Sequence, residues 1–212
     1  IYTLSLHDAL PICVSKLVSC HLGSGASLSA IKDGQDMDTT MGLTPLDGLI
    51  MGTRCGSIDP ATVCYLVREG GYTIDEVDTM MNKQSGLRAL SAVSSDSRDI
   101  EEAAKRGDKN CQMALEMFCY RAGQLIAEMA QSMHGFDTMA FSAGIGENSD
   151  VLRAGVAREL EWLGVSLDPE KNKLRSDDPR IISTDDSKVK VLVVPTNEEL
   201  MIAFDVEELL HS

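Results

Sequence analysis

Residues 14–40 read VSKLVSCHLGSGASLSAIKDGQDMDTT, and this stretch predicts how the fold begins. The apolar run Val14–Cys20 ends in the glycine-rich turn His21–Gly25, and an alternating stretch, Ala26–Ile31, follows it. Asp33-Gly34 is a typical hairpin signal that turns the chain back once more. The stretch therefore predicts a three-stranded β-meander with a glycine loop at one end.

Helix signals follow the meander. Asp59-Pro60 combines an N-cap residue with a proline that suits the first helical position. Thr73–Glu76 has the sequence of a capping box, and a short helix is expected over about 99–106. Over about 108–134 the apolar residues keep helical spacing. The region after the meander is therefore predicted to be largely helical.

Strands and helices alternate in the last third of the chain. The buried stretch Thr138–Ser142 runs into a glycine turn, after which Ser149 caps a helix. Residues 168–180 are expected to form a polar loop, and short strands are expected at 181–184 and 189–194. An opening meander followed by alternating helices and strands predicts an α/β fold.

The composition excludes several functions. Lys and Arg total 19 against 33 Asp and Glu, so the formal net charge is −14. Such a surface repels nucleic acids and anionic membranes, and no apolar run reaches the roughly 18 residues of a membrane helix. The six cysteines include no C-x-x-C pair, and the chain has only four histidines. These counts predict reduced thiols in a cytoplasmic protein and no zinc site.

Three strand-to-helix junctions carry glycine or polar residues: His21–Gly25, Gly144–Asn148 and Pro195–Glu198. Ligands of open α/β sheets bind at strand ends, where free backbone N–H groups hold anions. Taken alone, a glycine turn of this kind is more often structural than functional. The chain has no G-x-x-x-x-G-K-[ST] string, so a nucleotide site here is not a P-loop.

Arg54 and Glu198 are the candidate charged groups. An isolated arginine is usually a solvated surface residue, yet Arg54 stands between glycines and suits the charge of a transferring phosphoryl group. Glu198 either interacts favourably with the dipole of its helix or holds Mg²⁺, which binds one or two carboxylates plus phosphates. Taken alone, His21 and Asp96–Arg98 are typical of a turn histidine and an N-cap region.

Four strings taken together resemble the acetokinase family, which includes acetate, propionate and butyrate kinases. They are HLGSGASLSAIKDGQDMDTTMGLTPLDGLIMGTRCGSIDP (21–60), SSDSRD (94–99), FSAGIGEN (141–148) and VPTNEELMIA (194–203). The resemblance covers roughly residues 14–210 in order. It implies one lobe of the actin-like ATPase fold, which acetate and sugar kinases, heat-shock chaperones and actin share, with nucleotide bound between two lobes.

The resemblance also implies a role for each matched segment. His21–Gly25 matches the first phosphate-contacting loop, whereas Asp96–Arg98 and Gly144–Asn148 match segments at the adenosine end. Arg54 matches the arginine that stabilises the phosphoryl transition state, and Glu198 matches the Mg²⁺ carboxylate. The nucleotide-binding residues implied in this way are His21, Leu22, Gly23, Ser24, Gly25, Asp96, Ser97, Arg98, Gly144, Ile145, Gly146, Glu147 and Asn148.

The reaction that the resemblance implies is ATP + acetate ⇌ ADP + acetyl phosphate, by direct in-line transfer in a cytoplasmic, Mg²⁺-dependent homodimer. Propionate or butyrate is the alternative carboxylate. A nucleotide-binding module without catalysis is a second hypothesis, and an inert folding fragment is a third. The long helix over 108–134 is the candidate dimer contact, although its Met and Ala residues also suit a core.

The chain departs from the family pattern at two positions. Ser24 stands where the family usually has Asn, and Ser57 stands where it usually has Asp. A serine lacks the reach of a carboxamide, so Ser24 is expected to weaken a phosphate contact. The change at Ser57 is expected to matter less, because Asp59 still caps the following helix.

The resemblance is to the C-terminal portion of the family's fold. We find none of the residues that the family's N-terminal lobe supplies, which are an Asn near the metal, an Arg for the carboxylate, a catalytic Asp and a His. We expect a non-native leader at 1–13 and a nucleotide-binding lobe at 14–195. A C-terminal helix at 196–212, opened by a second capping box at Thr196–Glu199, is expected to pack toward the missing lobe.

Overall fold

The computed structural model describes residues 15–196 and 206–207. In this part of the chain the strands are β1 (Lys16–Leu22), β2 (Ala26–Lys32), β3 (Gln35–Thr39), β4 (Thr138–Ser142), β5 (Arg180–Ile181) and β6 (Lys190–Val193). They form one sheet in the order β3-β2-β1-β4-β6-β5. β1, β4 and β6 are parallel, whereas β2, β3 and β5 run antiparallel to their neighbours. The predicted leader, Glu198 and most of the predicted C-terminal helix lie outside the described residues.

The predicted β-meander is confirmed. β1 and β2 pair in continuous antiparallel register from Lys16 opposite Lys32 to Leu22 opposite Ala26. At the next turn Asp33 and Gly34 both have positive φ, 49° and 80°. A two-residue hairpin with a mirror-image turn requires this left-handed backbone, which glycine adopts without strain and aspartate tolerates.

The helices occupy the connection between β3 and β4 and the connection between β4 and β5. They are α1 (Ala61–Arg68), α2 (Ile74–Lys83), α3 (Gly86–Ser91), α4 (Ser97–Lys105), α5 (Lys109–Ser132), α6 (Ala143–Asn148), α7 (Asp150–Glu159) and α8 (Pro169–Lys173). A 3₁₀ turn, Glu161–Leu163, follows α7. Within the described residues, no helix combines the length and the apolar character needed to cross a membrane.

Most of the predicted helix starts are confirmed, because they depend on local hydrogen bonds. Thr73–Glu76 forms the predicted capping box, with both reciprocal hydrogen bonds in place. Asp108 and Ser149 cap α5 and α7 with their side chains. A carboxylate oxygen of Asp59 accepts the N–H of the first α1 residue at 2.9 Å, although Pro60 itself precedes the helix.

Three short helices differ from the sequence-based expectation. α3 is not predicted, the expected glycine turn is the helix α6, and the expected polar loop contains α8. These helices have 6, 6 and 5 residues, too few to show a hydrophobic period. The strand expected at 181–184 is also shorter: β5 ends at Ile181, and Ser183 then forms an isolated bridge with Leu167.

The core lies between the sheet and α5, which packs on β2, α3, α4 and α7. Glycines let α5 and α7 approach closely: a Cβ at Gly155 would lie 2.5 Å from Sγ of Cys119. Burial raises the pKa of the Cys119 thiol to about 12. A thiol that stays protonated is a packing group and not a nucleophile.

Candidate active site

The glycine loops meet at the carboxyl ends of β1 and β4. These parallel strands end side by side, with His21 opposite Ser142. A Cβ at Gly23 would lie 3.5 Å from Cβ of Ala143, the first residue of α6. A Cβ at Gly146 would lie 3.4 Å from the backbone of Phe141 in β4. The small residues therefore allow a helix to start directly on the edge of the sheet, where ligands of such sheets bind.

Arg54 reaches the first of these loops. The N–H of Gly52 donates to the carbonyl of Ser24 at 3.1 Å, which attaches the arginine loop to the glycine loop. Nη1 of Arg54 lies 3.2 Å from the position that a Cβ of Gly25 would take. The same nitrogen donates to the carbonyl of Pro45 at 3.2 Å. The structure therefore brings the predicted arginine and the predicted phosphate loop together.

A cleft of about 950 Å³ opens beside these loops and α4. Eight of the predicted nucleotide-binding residues line it, from all three predicted segments. Its walls are formed by Gly23, Ser24, Ser95, Asp96, Ser97, Arg98, Glu101, Glu102, Lys105, Gly144, Ile145, Asn148, Ser149, Asp150 and Arg175. A second cavity, of about 730 Å³ between α7 and α8, contains none of the predicted residues.

The other five predicted residues do not line this cleft. Leu22 and Gly146 are buried residues. Gly25 lies beside Arg54, and His21 is half-buried at the end of β1. The carboxylate of Glu147 points to the segment that follows β6: it accepts the N–H of Thr196 at 2.9 Å and its hydroxyl at 3.0 Å.

Asp96 and Arg98 form a closed pair at the start of α4. One carboxylate oxygen of Asp96 caps the helix by accepting the N–H of Arg98 at 2.9 Å. Nη2 of Arg98 donates to the other oxygen at 2.6 Å, and the side chain of Arg98 remains 85% exposed. The side chain of Arg98, followed by its backbone N–H, lowers the pKa of Asp96 to about 2. The pair therefore offers a fixed cation to a ligand.

Replacing Arg98 with alanine should raise the pKa of Asp96 from about 2 toward the usual 3.8, incompletely because the backbone N–H of residue 98 still donates. A lowered carboxylate pKa stabilises the fold above the usual pKa and ceases to do so as the pH falls through the lowered value. As the pH falls, the Arg98→Ala variant should therefore lose the stabilisation from the Asp96 carboxylate at a higher pH than the wild type does. A carbon NMR titration of the Asp96 carboxyl measures the shift, with Lys105→Ala as the control on the same helix. An equal rise in both variants would contradict the assignment of the shift to Arg98.

Arg175 and Arg153 are site residues that the sequence patterns do not predict. Nη1 of Arg175 donates to the carboxamide oxygen of Asn148 at 3.1 Å, and the carboxamide nitrogen donates to the carbonyl of Gly144 at 3.0 Å. Both ends of the Asn148 side chain are therefore held. Arg175 stands in a polar stretch without periodicity, so no local signal could have found it.

Arg153 is a buried cation, 1% exposed, under the end of α6. Its Nη1 donates to the carbonyls of Gly146 and Glu147, both at 2.9 Å, and its Nε donates to Oδ1 of Asn172 at 2.8 Å. Burial lowers the pKa of the guanidinium to about 10, so the group remains charged. A positive charge at a helix C-terminus is favourable, and here it ties α6 to α7 and α8.

Residues 15–196 contain no cluster of three or more His, Cys, Asp or Glu side chains that could enclose an ion. Mg²⁺ is commonly bound by one or two carboxylates together with substrate phosphates. Glu198, the predicted Mg²⁺ carboxylate, lies outside the described residues.

The fold and the cleft together define a class of protein. The sheet begins with an antiparallel meander and continues with parallel strands, and glycine loops surround a cleft at the carboxyl ends of the parallel strands. This arrangement is a lobe of the actin-like ATPase fold. The family model described as the Acetokinase family matches residues 7–204. The chain belongs to this family.

Relatives of known structure and sequence agree with this assignment. The acetate kinase of Carboxydothermus hydrogenoformans is 51% identical over 200 residues, which are 94% of this chain and 50% of that protein. The crystal structure of Porphyromonas gingivalis acetate kinase matches with a TM-score of 0.87 and 38% identity, over 92% of this chain and 49% of that one. A propionate kinase from Francisella tularensis subsp. tularensis matches with a TM-score of 0.83 and 38% identity, over 88% and 47%. The chain spans about half the length of these relatives.

Proposed function

We propose that this chain is the nucleotide-binding half of an ATP-dependent acetate kinase, which transfers a phosphoryl group reversibly between ATP and acetate. One observation carries the proposal: the structure brings Arg54, the His21–Gly25 loop and the cleft-lining segments Asp96–Arg98 and Gly144–Asn148 to one edge of the sheet. Phosphoryl transfer requires mainly positioning and charge neutralisation, which such a set of groups supplies.

Each group has a distinct part in this mechanism. Backbone N–H groups of the His21–Gly25 loop bind phosphate oxygens, and the absence of side chains at its glycines allows close approach. Arg54, beside Gly25, neutralises the charge that develops on the transferring group. Asp96–Arg98 and Gly144–Asn148 hold the adenosine end. Mg²⁺ held by Glu198 would neutralise phosphate charge when bound.

The carboxylate substrate is proposed to be acetate, with propionate or butyrate as the alternative. The first relative above is an acetate kinase, and one structural neighbour is a propionate kinase. A module that binds nucleotide without transferring a phosphoryl group is the second candidate, because the chain spans half of its relatives. Formation of acetyl phosphate by the chain would exclude the module.

A homodimer in the cytoplasm is the proposed setting. α1 buries none of its residues, and Met113, Met117 and Tyr120 of α5 are exposed on one face. Exposed apolar surface of this kind marks interaction sites. The described residues hold five cysteines, all free, which supports a reducing compartment. Sedimentation as a monomer at micromolar concentration would contradict the dimer.

Calorimetric titration of the chain with Mg·ADP tests the nucleotide site. Arg98→Ala removes the exposed cation, and we expect it to weaken binding roughly tenfold. Gly146→Val places branches against Phe141 and should abolish binding, because ordinary contact is already reached at the Cβ position. Glu161→Ala, an exposed change outside the cleft, is the control. Unchanged binding in both site variants would place the nucleotide elsewhere.

A further inference from the structure

His21 has a serine on each side in the sheet. Ser142 of β4 stands opposite it in the parallel register, and Ser27 of β2 stands opposite it in the antiparallel register. Ser142 forms a hydrogen bond with the ring, with its hydroxyl oxygen 3.5 Å from Nδ1, whereas the hydroxyl of Ser27 forms none with it. The two neighbours therefore share a residue type and a position relative to His21 but differ in hydrogen bonding to the ring.

The hydroxyl of Ser142 has one hydrogen-bond partner among residues 15–196, and that partner is His21. Ser142 is 8% exposed and directly precedes α6, where a serine commonly caps, yet its side chain makes no capping bond. If Ser142 accepted a proton from Nδ1, its own buried hydroxyl proton would have no acceptor in this part of the chain. An unpaired buried donor is costly, which favours donation from the hydroxyl to Nδ1.

We propose that Ser142 is a positioning residue that holds His21 in the tautomer with its proton on Nε2. The hydrogen bond at one ring nitrogen sets the proton at the other. Nε2 of His21 has no partner among the described residues, so its N–H is available to a ligand. A phosphate oxygen accepts from an N–H, whereas the lone pair of the opposite tautomer would repel it. The inference rests on the proposed function only for the identity of this ligand.

Nitrogen NMR of the histidine-labelled chain tests the tautomer without any nucleotide. Spectra are recorded at about pH 9, where free imidazoles are neutral, and His21→Gln identifies the signal. We expect the wild type to carry the proton on Nε2, Ser142→Ala to show a mixture of tautomers, and Ser142→Thr to restore the wild-type state. Ser27→Ala, the matched control, should leave the tautomer unchanged.

Three results would overturn the proposal: a wild-type proton on Nδ1, an unchanged tautomer in Ser142→Ala, or an equal change in Ser27→Ala. If Ser142→Ala does not fold, the wild type and Ser142→Thr still test the proposal, because it requires both proteins to carry the proton of His21 on Nε2.

Titration with Mg·ADP tests whether Ser142 also affects nucleotide binding. Ser142→Ala should raise the dissociation constant about threefold to tenfold. In a His21→Gln background the amide nitrogen donates without help, so adding Ser142→Ala should change nothing further. A full additional loss there would contradict a role through His21. If the wild type itself does not bind Mg·ADP, the proposed function fails, and the tautomer still decides the role of Ser142.

Discussion

Replacing Arg153 with methionine should destabilise the chain by about 3 kcal/mol, because each buried acceptor that loses its donor costs about 1–3 kcal/mol. Methionine fills part of the volume but donates no hydrogen bond. The carbonyl of Gly146 would lose this donor, and so would the carboxamide and carbonyl oxygens of Asn172. The carbonyl of Glu147 would keep Arg175 and Arg180 as donors. Each unsatisfied buried acceptor adds a desolvation penalty. Urea unfolding of the two proteins measures the difference.

Two further variants separate the geometry of Arg153 from its charge. Arg153→Lys keeps a positive charge but cannot donate in the fixed directions of a guanidinium, so it should recover only a small part of the loss. Arg158→Met removes an exposed arginine from the same helix, and its effect should stay within about 0.5 kcal/mol. The anchoring role of Arg153 would be contradicted if the two methionine variants lost similar stability.

Local signals explain most of what the sequence predicts. The Asp33-Gly34 hairpin, the Thr73–Glu76 capping box and the Ser149 cap depend on contacts within four residues of chain. Period and capping are properties of the sequence itself, and therefore these elements can be predicted without knowing what packs against them. The α/β class follows because the same signals alternate along the chain.

Non-local contacts explain what the sequence does not predict. α3 begins at Gly86, a residue that disfavours helices, because the N–H of Leu87 donates to the carbonyl of Met51 at 2.8 Å. Arg153 donates hydrogen bonds to carbonyls 6 and 7 residues earlier in the chain and to Asn172, 19 residues later. No pattern in a single sequence encodes such pairings. The glycine loops and Arg54 could be predicted only because four strings matched a family together.

The arginine loop also depends on a non-local contact, which makes Gly86 the most sensitive glycine beside the site. Gly86 has φ +64°, and a Cβ there would overlap the carbonyl oxygen of Met51 and lie 2.8 Å from that of Arg54. We expect Gly86→Ala to cost at least about 3 kcal/mol, from left-handed strain of about 1 kcal/mol and a backbone clash of about 2 kcal/mol. Urea unfolding measures the total.

Gly71→Ala isolates the strain from the clash. Gly71 has φ +73°, close to that of Gly86, but a Cβ there would have no atom within 4 Å. Its variant should therefore lose only about 1 kcal/mol and keep the arginine loop in place. Gly86→Ala must instead push the loop 51–54 away from Leu87, which moves the guanidinium of Arg54 from Gly25. Amide NMR shifts of Gly25 and Arg54 should change in Gly86→Ala alone. Equal losses of stability in Gly86→Ala and Gly71→Ala would mean that the loop 51–54 moves without cost in free energy. Arg54 would then lack the fixed position that phosphoryl transfer demands.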